Sequence, residues 1–252
     1  VTGWEQLAVL AAGLGAGVLT STVGVASLLS FPVLVAIGLP PVVANVTNTV
    51  GMTPAGVSGS FGYRAELREH PVVTVVVLAT GMLGSVLGAV LLLSLPPGVF
   101  ESVVPYLILV TCLLVGAQPT ITKLLRRGQE DRAPRHHLSP ATTFFAGLVG
   151  VYGGYFGAGS GVMMVAVLGF GTDLELRIVN ALKTLAILAG NVVAAVIFVI
   201  VADVDWAAAG LLAAGSVVGG YAGARVGRRL PPTLFRVLVV VAGVTAAVTM
   251  LA

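Results

Sequence analysis

Apolar runs separated by short polar breaks follow one another along the whole chain. They predict segments at about 6–23, 25–37, 41–63, 71–95 and 99–118, and a second set at about 141–156, 158–171, 175–202, 206–224 and 232–252. A helix needs about 20 apolar residues to cross a hydrocarbon core of about 30 Å, and runs of that length occur in both sets. The first two segments of each set are shorter, and small residues join them in place of a hydrated loop. These junctions read TSTVGVASLLS from Thr20 and GVYGGYFGAGSGV from Gly150.

A helix broken inside a bilayer leaves backbone N–H and C=O groups that only protein or a water-filled cavity can satisfy. Each half is therefore expected to hold a broken or re-entrant helical pair beside a cavity. The helix that resumes after the break turns its N-terminal N–H groups inward, with the partial positive charge that suits an anion. Close helix packing through small residues also fits the second junction and is compatible with a break. A nucleotide-binding loop fits less well, because no strand precedes the junction and no Gly-Lys-Ser/Thr run is present.

The two sets read as repeats of one unit. Gly17, Gly24 and Gly38 stand at one constant offset from Gly150, Gly157 and Gly171, and after a two-residue insertion Asn45 and Thr49 meet Asn180 and Thr184. The division expected is 1–118 as a first transmembrane repeat, 119–140 as a basic linker and 141–252 as a second repeat.

Charge carries an independent signal, since Lys and Arg favour cytoplasmic loops. Arg64 and Arg68 follow the third segment, and the next loop, SLPPGV, has no charge. In the second half the order is exchanged: ADVD follows the third segment, and Arg225, Arg228 and Arg229 occupy the next loop. Five segments per half, an odd number, would reverse the second half relative to the first. The fold expected is an all-α integral membrane protein of two inverted-topology repeats. With the stretch from Lys123 to His137 in the cytoplasm, every Lys and Arg except Lys183 falls on that side, while Glu5, Glu101, Asp203 and Asp205 fall outside. The protein would then be multi-pass in the cell membrane, with the linker cytoplasmic and both termini external. The opening VTGWEQLAVLAAG has no positive n-region and is expected to belong to the fold, not to a cleaved leader.

Composition supports this picture. The 252 residues are 57% hydrophobic and 9% charged, against roughly 25% charged in soluble domains. The net charge of +3 sits in short loops, which argues against nucleic acid as a partner. Cys112 is the single cysteine, so neither a disulfide nor a cysteine metal site is expected. His70, His136 and His137 lie in loops, and no Ser-His-Asp arrangement or metal-ligand cluster is evident. No catalytic residue, metal or cofactor is expected, and the chain does not read as an enzyme.

The chemistry concentrates in the third segments. Asn45, Asn48, Thr49 and Met52 share one helical face, with Pro54 placed to kink the next turn. Asn180, Lys183, Thr184, Ile187 and Asn191 form the matching face. A lysine at the bilayer centre costs about 2.5–3.5 kcal/mol on insertion scales, so these faces are expected to point into the protein. Lys183 has two placements. It lies about 12 Å along a helix from Glu175, within reach of the cytoplasmic interface, or it faces the cavity that the breaks imply. No Asp or Glu lies inside a span to pair with it. Ammonium, amides, hydroxyls and helix N-termini all donate hydrogen bonds, a set suited to a small oxyanion.

ANVTNTVG with GYRAEL in the first half, and VYGGYFGAGSGVM followed by NALKT in the second, resemble the sulfite exporter TauE/SafE family of membrane permeases. The resemblance runs over nearly the whole chain. It implies transport of sulfur-containing anions or organic acids across the cytoplasmic membrane, commonly export of sulfite or sulfonates. Thr184 departs from the NALKN run of many relatives.

The resulting expectation is a secondary transporter for a small anion, working by alternating access, with the lipid bilayer as its medium and a coupling proton able to travel on the substrate. Lys183 would supply charge. Asn45, Asn48, Thr49, Asn180 and Thr184 would hydrogen-bond substrate oxygens. Gly153, Gly154, Gly157 and Gly159 would permit the break, with Gly157 and Gly159 at the substrate, and Tyr152 and Tyr155 would gate or line the cavity. A channel-like anion pore and a non-transporting scaffold subunit are the alternatives.

Overall fold

The computed structural model describes residues 3–22, 25–61, 63–129, 138–226 and 232–251, and these are helical with short connections. The helices are α1 (Gly3–Thr22), α2 (Ser27–Ala36), α3 (Pro41–Phe61), α4 (Arg64–Glu69), α5 (Pro71–Ser94), α6 (Pro97–Gln129), α7 (Pro140–Tyr155), α8 (Ser160–Gly171), α9 (Leu176–Val201), α10 (Trp206–Val226) and α11 (Pro232–Leu251). Proline opens α3, α5, α6, α7 and α11, where its missing N–H costs nothing and its fixed φ suits the first turn. Ser139 also caps α7, its Oγ accepting from Thr142 N at 3.1 Å.

Two stretches expected to be loops are helical. The Arg64–Glu69 connection forms α4, and α6 continues well past residue 118 into the polar stretch, to Gln129. Packing explains the second case: Leu125 is buried and fills the space beside Gly169 of α8. The rest of the linker at 130–137, with His136 and His137, lies outside the described residues, as do Gly24, Arg228 and Arg229.

Polar and apolar surfaces are distributed as lipid requires. Asn45, Asn48, Ser30, Ser85 and Thr111 are buried, while Leu83 and Leu87 of α5, Leu113 of α6 and Ile200 of α9 are exposed. In water so extensive an apolar surface would be an aggregation liability. Among the described residues three helices, covering Pro71–Ser94, Pro97–Leu125 and Leu176–Val201, are long and apolar enough to cross a membrane. The short helices α2 and α8, of 10 and 12 residues, reach only about half the hydrocarbon thickness at 1.5 Å per residue.

The two parts of the chain interlock. α1 packs on α10 and α5 on α7, α3 packs on α10 and α5 on α9, α2 on α11 and α6 on α8, so each contact in one part has a counterpart in the other. Running directions follow from residue contacts. Gly13 and Gly17 of α1 lie against Leu212 and Ser216 of α10, a parallel pair. Gly84 and Gly88 of α5 lie against Gly150 and Gly154 of α7, also parallel. Both are close approaches through small residues. α3 and α9 run antiparallel: Thr47 Oγ1 accepts from Asp205 N at 3.1 Å just past the end of α9, Gly56 meets Leu188, and Glu69 beyond the end of α3 pairs with Arg177 in the first turn of α9. α4 and the start of α9 thus share one end of the molecule, and the Asp203–Asp205 loop shares the other with the start of α3. Cys112 is buried between α6 and α11.

Candidate functional site

The second break is built by two glycines. α7 ends at Tyr155 and α8 starts at Ser160, and between them Gly157 and Gly159 have φ of 79° and 75°, in the left-handed region where a Cβ is strained. Gly153 and Gly154 do not take part in the break, contrary to the sequence expectation. Both lie inside α7, and Gly154 is the residue that lets α7 touch the backbone of Ser85 on α5.

Tyr152 fixes the shape of the turn. Its hydroxyl donates to Ala158 O at 2.6 Å, and Thr111 Oγ1 of α6 lies 2.9 Å from that hydroxyl and 3.1 Å from the same carbonyl. The carbonyl of the turn is thereby held against α6, and the first turn of α8 follows from that anchor. Phe156 packs edge-on against Phe31 of α2 at 5.3 Å and against Phe100 of α6 at 6.1 Å, while Tyr155 meets Phe100 at 5.5 Å. These rings form one aromatic cluster that joins α2, the break after α7 and the first turn of α6.

A cavity of about 100 Å³ lies between the two breaks and the polar faces of α3 and α9. Drug-sized ligands occupy about 300–1,000 Å³, so this space suits a small ion. Lys183, Thr184, Thr49, Gly157 and Gly159 line it, together with Met52, Ile187 and Asn191 of the same two faces. Lys183 is half-buried, and its ammonium has neither an ion pair nor a hydrogen bond among the described residues. Placement on the cavity wall fits an inward-facing lysine.

The remaining expected residues lie outside the lining. Asn48 is buried and its Oδ1 accepts from Ser30 Oγ at 2.5 Å. Asn45 reaches across to α7, its Nδ2 donating to Tyr155 O at 2.9 Å, while its buried Oδ1 has no partner among the described residues. Asn180 turns back on its own helix, donating to Leu176 O at 2.8 Å. Tyr152 and Tyr155 brace the turn from behind.

The threonines on the wall are also committed. Thr49 Oγ1 donates to Asn45 O at 3.0 Å, Thr184 Oγ1 to Asn180 O at 2.8 Å and Thr20 Oγ1 to Ala16 O at 2.9 Å. A hydroxyl has a single hydrogen, so each shows the cavity lone pairs only. Ser27 and Ser160, the first residues of α2 and α8, line the cavity and were missed in the sequence reading. The signal was present: they stand at the same offset that relates Gly17 to Gly150. Among the described residues no group of His, Cys, Asp and Glu could hold a metal ion.

Known proteins are similar to this chain over most of its length. A Haemophilus influenzae protein named a probable membrane transporter is 27% identical over 95% of this chain and 92% of its own length. A Sinorhizobium protein named in the same way is 25% identical over 94% of this chain and 88% of its own. The Escherichia coli K12 probable membrane transporter YfcA is 26% identical over 85% of this chain and 76% of its own. No solved structure matches the chain. Residues 9–250 match the sulfite exporter TauE/SafE family, and the chain belongs to that family of membrane transport proteins.

Proposed function

We propose that this chain is a secondary transporter that exports a small anion, sulfite, a sulfonate or a related sulfur-containing or organic acid anion, across the cytoplasmic membrane by alternating access. The observation that carries the reading is the Lys183 ammonium, without a carboxylate partner among the described residues, on the wall of a small cavity where the two halves meet. A charge so placed in lipid is stabilised by an anion in the cavity. Membership of a family of membrane transporters supports the reading from a separate direction.

The running directions of the helices support two inverted repeats: α1 runs parallel to α10, α7 runs parallel to α5, and α3 opposes α9. Repeats of this kind place the substrate at their interface, near the midplane, between broken helices. Phe156 lines the cavity and packs on Phe31 and Phe100, and a packed aromatic cluster against the site suits alternation better than an open pore.

A thermal-shift panel on detergent-purified protein tests the reading. Sulfite, sulfate, thiosulfate, sulfoacetate, acetate and chloride are compared on the parent and on Lys183→Gln. Binding to the folded state stabilises it by about 2.7 kcal/mol at a hundredfold excess over Kd. A selective anion response that Lys183→Gln removes is the expected result, and equal responses in parent and variant would exclude the charge role.

A further inference from the structure

Resting on the anion-transport reading, we infer that the oxyanion is seated on the second half of the molecule, by Ser160, Lys183 and Asn191, and that this seat selects a singly charged head group. Thr49 and Thr184 line the cavity but spend their hydroxyl hydrogens on Asn45 O and Asn180 O in their own helices. Four lining side chains remain with donors that no acceptor among the described residues takes up: Ser27, Ser160, Lys183 and Asn191. Three of the four belong to α8 and α9.

Ser160 is the most constrained of them. It is 6% exposed, lines the cavity, and opens a helix of 12 residues. The backbone around it is accounted for in part: Ser160 N donates to Gly157 O and Val162 N to Gly159 O, while Gly161 N–H has no acceptor among the described residues. The Ser160 hydroxyl, unpartnered on a buried residue and open to the cavity at a helix N-terminus where the peptide dipoles favour negative charge, forms one half of an anion seat. Tyr152 and Thr111 hold the nearby Ala158 carbonyl, so this turn is fixed before any anion arrives. Lys183 and Asn191 complete the seat from α9. Ser160, Ile187 and Asn191 also line a smaller neighbouring cavity beside Gly81, Ser85 and Gly190, so the seat lies where the two spaces meet.

Charge selection follows from the wall. Among the described residues Lys183 is its one ionisable side chain, and the other polar lining groups are hydroxyls and an amide. A singly charged oxyanion is neutralised there, whereas a dianion keeps one uncompensated charge in a site walled by Met52, Phe156 and Ile187.

Three probes separate the possibilities: methanesulfonate, which carries one charge, sulfate, which carries two, and dimethyl sulfone, which has the same oxygens and none. Affinities are measured by calorimetry on detergent-purified parent, Ser160→Ala, Asn191→Ala and Ser27→Ala proteins, each first checked for a parent-like melting profile. Methanesulfonate is expected to bind about tenfold or more tightly than sulfate or dimethyl sulfone, tenfold being 1.4 kcal/mol. Ser160→Ala and Asn191→Ala are each expected to weaken methanesulfonate severalfold, and Ser27→Ala less than twofold. Sulfate binding as tightly as methanesulfonate, or a loss in Ser27→Ala equal to that in Ser160→Ala, overturns the inference and leaves anion transport standing. A parent protein that binds neither anion overturns both.

Discussion

Asn45 of α3 donates to the backbone carbonyl of Tyr155, the last residue of α7, at 2.9 Å, and so ties the third helix of the first half to the break of the second. Asn180 of α9 makes no such crossing and donates to Leu176 O in its own helix. Removing the first bond loosens the break, while removing the second leaves a carbonyl at the start of a helix that already has its backbone partners. Asn45→Leu is therefore expected to lower unfolding stability by about 1–2 kcal/mol, within the range for interhelical hydrogen bonds in membranes, and Asn180→Leu by less. Thermal unfolding of the two variants in one detergent checks the order.

Gly159 and Gly153 separate conformation from mere smallness. Gly159 has φ of 75°, and a Cβ there would collide with Thr111 Cγ2. Gly153 lies in regular helix with only Ser85 Oγ within reach, at 3.9 Å from a Cβ. Gly159→Ala is expected to cost about 1–2 kcal/mol for the left-handed conformation, with the collision added, and Gly153→Ala to be close to neutral. Melting temperatures and binding isotherms of both variants provide the test.

The wall threonines yield a sharper contrast with Lys183. Because the Thr184 hydroxyl already donates to Asn180 O at 2.8 Å, Thr184→Val removes a lone pair and no available donor. Its anion affinity is expected to stay within about threefold of the parent, less than 1.4 kcal/mol, whereas Lys183→Gln loses about tenfold or more. Calorimetric titration with sulfite decides the matter.

At the basic end, Arg177 grips Glu69 with both terminal nitrogens, at 2.6 and 2.8 Å, and holds that carboxyl below its ordinary value of 4.5 through these hydrogen bonds. A depressed carboxyl pKa contributes stability above the unfolded value and loses it as pH falls through the folded one. Thermal stability is therefore expected to decline slightly more steeply below pH 4.5 in the parent than in Glu69→Gln. The pair is exposed, so the difference is small and shrinks further in high salt.

Much of this architecture was legible before any coordinates. Hydrophobic length located the long helices to within a few residues except at the end of α6, and the glycine-rich junction marked the second break, because only glycine takes φ near 75° twice in three residues without strain. Two things were hidden. Lys123 to Gln129 looked like loop because it is polar, yet Lys, Leu, Arg and Gln are good helix formers and Leu125 supplies a packing anchor. The polar stripe on α3 looked uniform because periodicity reports a face and not what covers it. Part of that face opens on the cavity at Thr49, while Asn48 is taken up by Ser30 and Asn45 by Tyr155. Which hydroxyl or amide has a hydrogen to spare is decided by tertiary neighbours: the repeat offset marks Ser160, and only its surroundings show that its hydroxyl is unpartnered on the cavity wall.

Counterflow in proteoliposomes addresses the central claim, anion transport through the Lys183 cavity, most directly. Vesicles loaded with unlabelled sulfite and diluted into trace radiolabelled sulfite are predicted to accumulate label transiently and saturably, with Lys183→Gln reduced to the level of empty vesicles and Thr184→Val close to the parent. Uptake that rises linearly with concentration, or that is the same in Lys183→Gln as in the parent, would contradict the account.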